Sequence, residues 1–176
     1  MAYAVPTNFA AGAVLTEAQL DVLGNDIVFL ANPPKCRVYN SAAISIAVSG
    51  TDQALTFDSE RFDTDTMHST AVNTGRITFT TAGTYMVGAH VDFAPNATGH
   101  RVLYIRRNGS EVVGVQKVNA PAVGPGQLSV VSLFAFGAGD WADVMVGQTS
   151  GGALNVTNPG VGQAYSPEFW AVWQSL

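Results

Sequence analysis

Three histidines, His68, His90 and His100, stand among many serines and aspartates, so the residue types of a hydrolytic triad are all present. A triad also needs its nucleophile held at a strained turn beside the base, and no serine here sits in a Gly-x-Ser-x-Gly elbow. Asp58, Glu60, Asp63 and Asp65 form the one carboxylate cluster. Several oxygens close together suit calcium, but the stretch lacks the glycine-centred calcium pattern and reads as a solvated acidic loop. Cys36 is the sole cysteine, which excludes an intrachain disulfide and a cysteine-rich zinc site. No glycine loop has phosphate-cradling spacing. The expectation is a non-enzyme with no catalytic residue, no metal and no cofactor. Three sequons, Asn96-Ala-Thr98, Asn108-Gly-Ser110 and Asn155-Val-Thr157, read as turns.

The scaffold behind these residues is legible from totals and periodicity. Of 176 residues, 47% are apolar and only 12% charged, too few charges to wet a whole monomer surface. Eighteen glycines and eight prolines between short Val/Ile/Thr/Phe runs indicate an all-β domain with many turns. Thirteen acids against eight bases disfavour nucleic acid, which needs a basic patch; the only adjacent basic pair is Arg106-Arg107. The start lacks the basic and apolar regions of a signal peptide, and no run approaches a membrane span, so folding in a reducing cytosol without membrane insertion is expected.

The stretch Asn73 to Phe93 organises the rest. Ile77 and Phe79 alternate with polar neighbours, the chain turns at Thr81-Ala82-Gly83, and Tyr85, Val87, Ala89, Val91 and Phe93 alternate with Met86, Gly88, His90 and Asp92, so Arg76 to Phe93 reads as a hairpin-like pair of strands. One face is core; the other is small and weakly polar. Further strands are expected over Arg37 to Val48, Gln53 to Phe57, Arg101 to Arg107, Glu111 to Gln116, Gln127 to Phe136, Trp141 to Gln148 and Glu168 to Gln174, with Asn108-Gly109 a strong hairpin turn. Thr149 to Pro167 reads as a glycine-rich loop. Roughly eight to ten short strands in about 140 residues is the count of a two-sheet antiparallel jelly roll.

Residues 1–34 form a separate anchor before a head at 35–176. Tyr3, Val5 and Phe9, with Pro6 against helix, predict an extended arm docking onto another protein or a frayed terminus. One short helix follows: Thr16 and Gln19 make a capping box, Leu15 and Leu20 occupy staple positions, and Asn32-Pro33-Pro34 stops it. Leu20, Leu23, Ile27 and Leu30 fall on a heptad seam. Such a helix is marginal alone in water, so it packs either on its own domain or in a parallel bundle at a symmetry axis.

The succession Phe57, Arg61-Phe62, Gly75-Arg-Ile-Thr-Phe79, Ala82-Gly-Thr-Tyr85, Leu103-Tyr-Ile-Arg-Arg-Asn-Gly109, Gly139-Asp140 and Phe169-Trp-Ala-Val-Trp173 resembles the globular head of the first complement component and tumour necrosis factor. The resemblance covers roughly 35–176 and implies a TNF-like jelly roll forming a homotrimer through one sheet face. Mapped onto matching strands, it implies axis-facing Met86, Gly88 and His90, Ser129, Val131 and Leu133, and Phe169, Ala171 and Trp173. The helix seam would sit on the same axis.

Phe9-Ala-Ala-Gly-Ala-Val-Leu-Thr-Glu-Ala-Gln-Leu20 is similar to the short leader of many bacteriophage tail and appendage proteins. The expected function is therefore a virion structural protein. It would be a trimeric knob, anchored to other virion proteins by Tyr3, Val5 and Phe9, serving as capsid decoration, head fibre or tail-tip adhesin touching a host glycan or protein. The alternative is a soluble bacterial lectin with Trp141 or Tyr165 lining a sugar groove.

Overall fold

A computed structural model describes residues 11–158 and 167–176. Helix α1 (Glu17–Ala31) precedes twelve strands: β1 (Lys35–Tyr39), β2 (Ile44–Ile46), β3 (Gln53–Ala54), β4 (Ser59–Asp63), β5 (Arg76–Thr78), β6 (Gly83–Phe93), β7 (His100–Arg107), β8 (Glu111–Asn119), β9 (Gly126–Phe136), β10 (Trp141–Gln148), β11 (Leu154–Val156) and β12 (Glu168–Ser175). All pairings are antiparallel. In the seven-stranded sheet β6 lies between β9 and β12, β1 and then β4 follow β12, and β11 with β2 extends from the end of β6. The five-stranded sheet runs β3-β10-β7-β8, with β5 also on β10. This is the two-sheet jelly roll.

Period-two alternation fills the space between the sheets. Tyr85, Val87, Ala89 and Phe93 from β6 meet Ile77, Leu103, Ile105, Val144 and Val146 from the other sheet, all fully buried. Phe79 stacks on Phe136 at 3.8 Å and meets Tyr85 edge-on at 4.6 Å.

Several short signatures prove to be structural. A Cβ on Gly83 would lie 2.2 Å from the Trp173 indole nitrogen, so glycine lets Trp173 cross and donate to the Ala82 carbonyl. Tyr85 donates to the Thr81 carbonyl at 2.7 Å, locking the same corner. Asn108 (φ 49) and Gly109 (φ 75) adopt the left-handed pair of a tight hairpin. Asp140 accepts from Asn108, Gly137 and Arg107, and these bonds, Asn108 foremost, hold its carboxyl below the usual range.

Four sequence expectations change, the first being the acidic loop, which carries strand β4 paired with β1. β5 and β6 belong to different sheets, because the Thr80–Ala82 corner carries the chain across the sandwich. The run 37–48 divides into β1 and β2, because Asn40 turns aside to bond Thr56 and Ala42, and Ser41 bonds Asp58. Leu154–Val156, inside the expected loop, forms β11 against β2.

The helix keeps its expected cap: Thr16 and Gln19 satisfy each other reciprocally, and Asn32 ends it. Phe29 anchors it, edge-on to Trp173 at 4.9 Å, while Trp173 donates its backbone N–H to Pro34. On the seam, Leu23 is half-buried, whereas Leu20, Ile27 and Leu30 stand 51%, 67% and 57% exposed. The helix is thus held to its own domain at one end and bare along most of the seam. Among the described residues no helix is long and apolar enough to cross a membrane.

Candidate functional site

The outward face of the seven-stranded sheet is organised in rows by strand register. Met86 lies between Leu133 and Val172; Gly88 lies between Val131 and Trp170, with Arg37 and then Phe62 beyond; His90 lies between Ser129 and Glu168. Across β9, β6 and β12 the first two rows are apolar and the third polar, while β1 places Lys35 and Arg37 at the ends of the first two. Val131 and Leu133 are 55% and 64% exposed, large aliphatic side chains standing in water on a sheet face. Arg37, Phe62, Met86, Trp170 and Val172 line a groove of about 330 Å³. The apolar rows lie toward the end where helix α1 docks, since Val172 and Met86 adjoin Trp173 and Tyr85.

The β12 assignment needs correcting. Phe169, Ala171 and Trp173 point into the core, Phe169 and Ala171 fully buried and Trp173 nearly so. An unbroken apolar run gives no alternation from which to choose a face, and the choice was off by one residue, which inverts a strand. Trp170 and Val172 are the outward positions.

Gly88 lets the Trp170 ring lie against β6. Its missing side chain is filled by the Trp170 ring, whose Cζ2 lies 2.3 Å from where a Cβ would be. Replacing Gly88 with valine is expected to lift the indole off the sheet, read as a shift in tryptophan emission with little change in the far-ultraviolet circular dichroism spectrum.

Beside Trp170, Glu168 is fully buried and held from both sides. Arg37 Nε donates to Oε2 and Arg61 Nε to Oε1, each at 2.5 Å. Arg61 also lies 4.7 Å over the Tyr39 ring. At the polar end, His90, Asp92, Gln116, Gln127 and Ser129 line a cavity of about 420 Å³. Burial raises the Asp92 carboxyl above its ordinary range, against a hydrogen bond from Gln127. Gln116 reaches from β8 to accept the Ser129 backbone N–H at 2.7 Å, joining the two sheets at this edge.

The other candidate chemistry disperses. His68 bonds Glu60 at 2.9 Å, His100 meets the Thr149 hydroxyl at 3.0 Å, and His90 lies 5.6 Å from Trp170. In the carboxylate cluster, Asp58 takes bonds from Ser41 and Ser59, Asp63 from the Asp65 and His68 amides, and Asp65 from Thr80 and Thr81. Among the described residues no three His, Cys, Asp or Glu groups converge as metal ligands. Cys36 is buried, and burial followed by the charges of Asp63 and Glu60 raises its thiol far above its ordinary value, so it is inert. Trp141 has one ring face covered by the Arg76 guanidinium, 3.7 Å from the centroid. Tyr3, Val5, Phe9 and Tyr165 lie outside the described residues.

The architecture is that of the tumour necrosis factor and complement globular heads. Murine APRIL matches with a TM-score of 0.59 at 11% identity over 80% of this chain and 98% of its own. The globular domain of zebrafish complement 1qA matches with a TM-score of 0.56 at 15% identity over 80% and 96%. No family model matches the sequence, and no curated protein is similar to it in sequence.

Proposed function

We propose that the protein is a non-enzymatic structural subunit that forms a homotrimer, the knob of a bacteriophage virion held to the particle by its N-terminal arm and helix. The observation that carries this reading is the pair of apolar rows, Leu133–Met86–Val172 and Val131–Gly88–Trp170, standing outward where a monomer would place polar residues. On β6 and β9 this is the face that the resemblance implies to be axis-facing, while on β12 Trp170 and Val172 stand there in place of Phe169, Ala171 and Trp173; the bare helix seam lies toward the same end. The ridge Val131/Leu133 and the groove beside Trp170 occupy different strands of one face, so a ridge-into-groove contact is heterologous, the kind that generates a ring when its rotation is threefold. The virion assignment rests on the leader resemblance together with this head. Host attachment, as an adhesin, and capsid decoration are both consistent with such a knob. The lectin reading is less well supported, since Arg76 covers one face of Trp141.

Native mass spectrometry tests the proposal. The expected mass is three chains, and a single chain at micromolar concentration would sink it. Val131→Asp with Leu133→Asp should yield folded single chains, because both side chains are already exposed. Leu23→Asp with Ile27→Asp should weaken assembly with the β domain intact; an unchanged mass would remove the seam from the interface.

A further inference from the structure

The described residues include six arginines, and five are committed. Arg37 and Arg61 clamp Glu168, Arg106 pairs with Asp143, Arg107 with Asp140 and Glu111, and buried Arg101 donates to the carbonyls of Asn96, Thr98 and His100. The sixth, Arg76, makes no side-chain hydrogen bond or ion pair among the described residues. Its guanidinium carbon lies 3.7 Å over the centroid of the Trp141 ring, a cation–π contact that holds the group against the indole and leaves the N–H fork unspent. The nearest carboxylate in register, Asp143, has both oxygens taken by Arg106, at 3.0 and 2.6 Å. Arg76 and Asn73 line two grooves, of about 360 and about 300 Å³; the first also carries Thr56, Thr74 and the Asp143 carboxylate already paired with Arg106, and the second carries Thr78.

We infer that Arg76 is the anion-recognising centre of a binding site for carboxylate-bearing saccharides on the outer face of the five-stranded sheet. A planar guanidinium held against the indole loses little freedom on pairing with a carboxylate, which it matches through two parallel N–H···O bonds. Each groove has the volume of a small-ligand site. The hydroxyls and amides suit a polyhydroxylated ring rather than an apolar one. Trp141 serves here as the platform for the arginine, not for the sugar. The sheet face involved is opposite the one proposed to pack between subunits, so the site stands whether or not the chain trimerises.

The test uses the full chain and two probes that differ only in the carboxylate, methyl β-glucuronide and methyl β-glucoside, titrated while the Arg76 Nε–H and Trp141 indole N–H resonances are followed. The glucuronide should shift both saturably in the millimolar range, and the glucoside should not. Arg76→Gln should weaken glucuronide binding by about tenfold or more, and Arg76→Lys, which keeps the charge and loses the fork, should also weaken it. Equal response to both sugars, no saturable response to the glucuronide, or unchanged binding in Arg76→Gln would overturn the assignment. Inorganic phosphate binding as tightly as the glucuronide would overturn the preference for carboxylated sugars.

Discussion

Replacing Phe79 with alanine is expected to cost about 3–5 kcal/mol of unfolding free energy, the range for deleting a large buried aromatic. Phe79 is fully buried, stacked on Phe136 from β9 and edge-on to Tyr85 from β6, so its ring joins the corner to both strands. Its backbone is equally committed, donating to the Asp140 carbonyl and accepting from Gly139. The neighbours therefore cannot collapse into the space without breaking the corner that carries the chain from β5 to β6, and most of the cavity persists. Urea denaturation at one fixed protein concentration is the measurement, since association adds to apparent stability. A loss below about 1 kcal/mol would show that the site collapses.

Glu168→Ala is the second large effect, at about 3 kcal/mol, the lower end for breaking a buried ion pair. The carboxylate is wholly buried, but the Arg37 and Arg61 side chains keep 31% and 23% of their surface in water, so the charges left behind are partly solvated. Glu168→Gln retains the shape and one acceptor and is expected to lose less. The same denaturation series separates them; equal losses for Ala and Gln would assign the effect to charge alone. Because the clamp adjoins Trp170, both variants should also perturb tryptophan emission.

Much of this was legible in the chain, for identifiable reasons. Strands half-buried on one side announce themselves: β6 alternates without a break, and its core and outward residues were separable by eye. The Asn108-Gly109 hairpin and the Thr16/Gln19 capping box followed from local chemistry that tertiary packing did not need to override. β12 is legible as a strand but not its facing, because Phe169 to Trp173 is apolar at every position, so the half-buried outward pair Trp170 and Val172 looks no different from its core neighbours. β11 was missed because three residues between glycine-rich segments carry no periodicity; only its partner strand makes it one. Glu168 was overlooked because a lone acid before an apolar run looks like a strand boundary, and its two arginine partners lie more than 100 residues earlier. The role of Arg76 has no local signal, since nothing in its sequence neighbourhood says that every other arginine is already occupied.

The Gln116 side chain that takes up the Ser129 N–H has a consequence for growth. An open sheet margin can recruit strand after strand and polymerise without limit, whereas here one margin is stapled to the opposite layer at that point. The margin at β4 is only five residues long and shifts register beside β1. Backbone templating is thereby disfavoured at these two margins. In the proposed trimer the side-chain surfaces would be used up when the ring closed, giving a particle of fixed size rather than a filament.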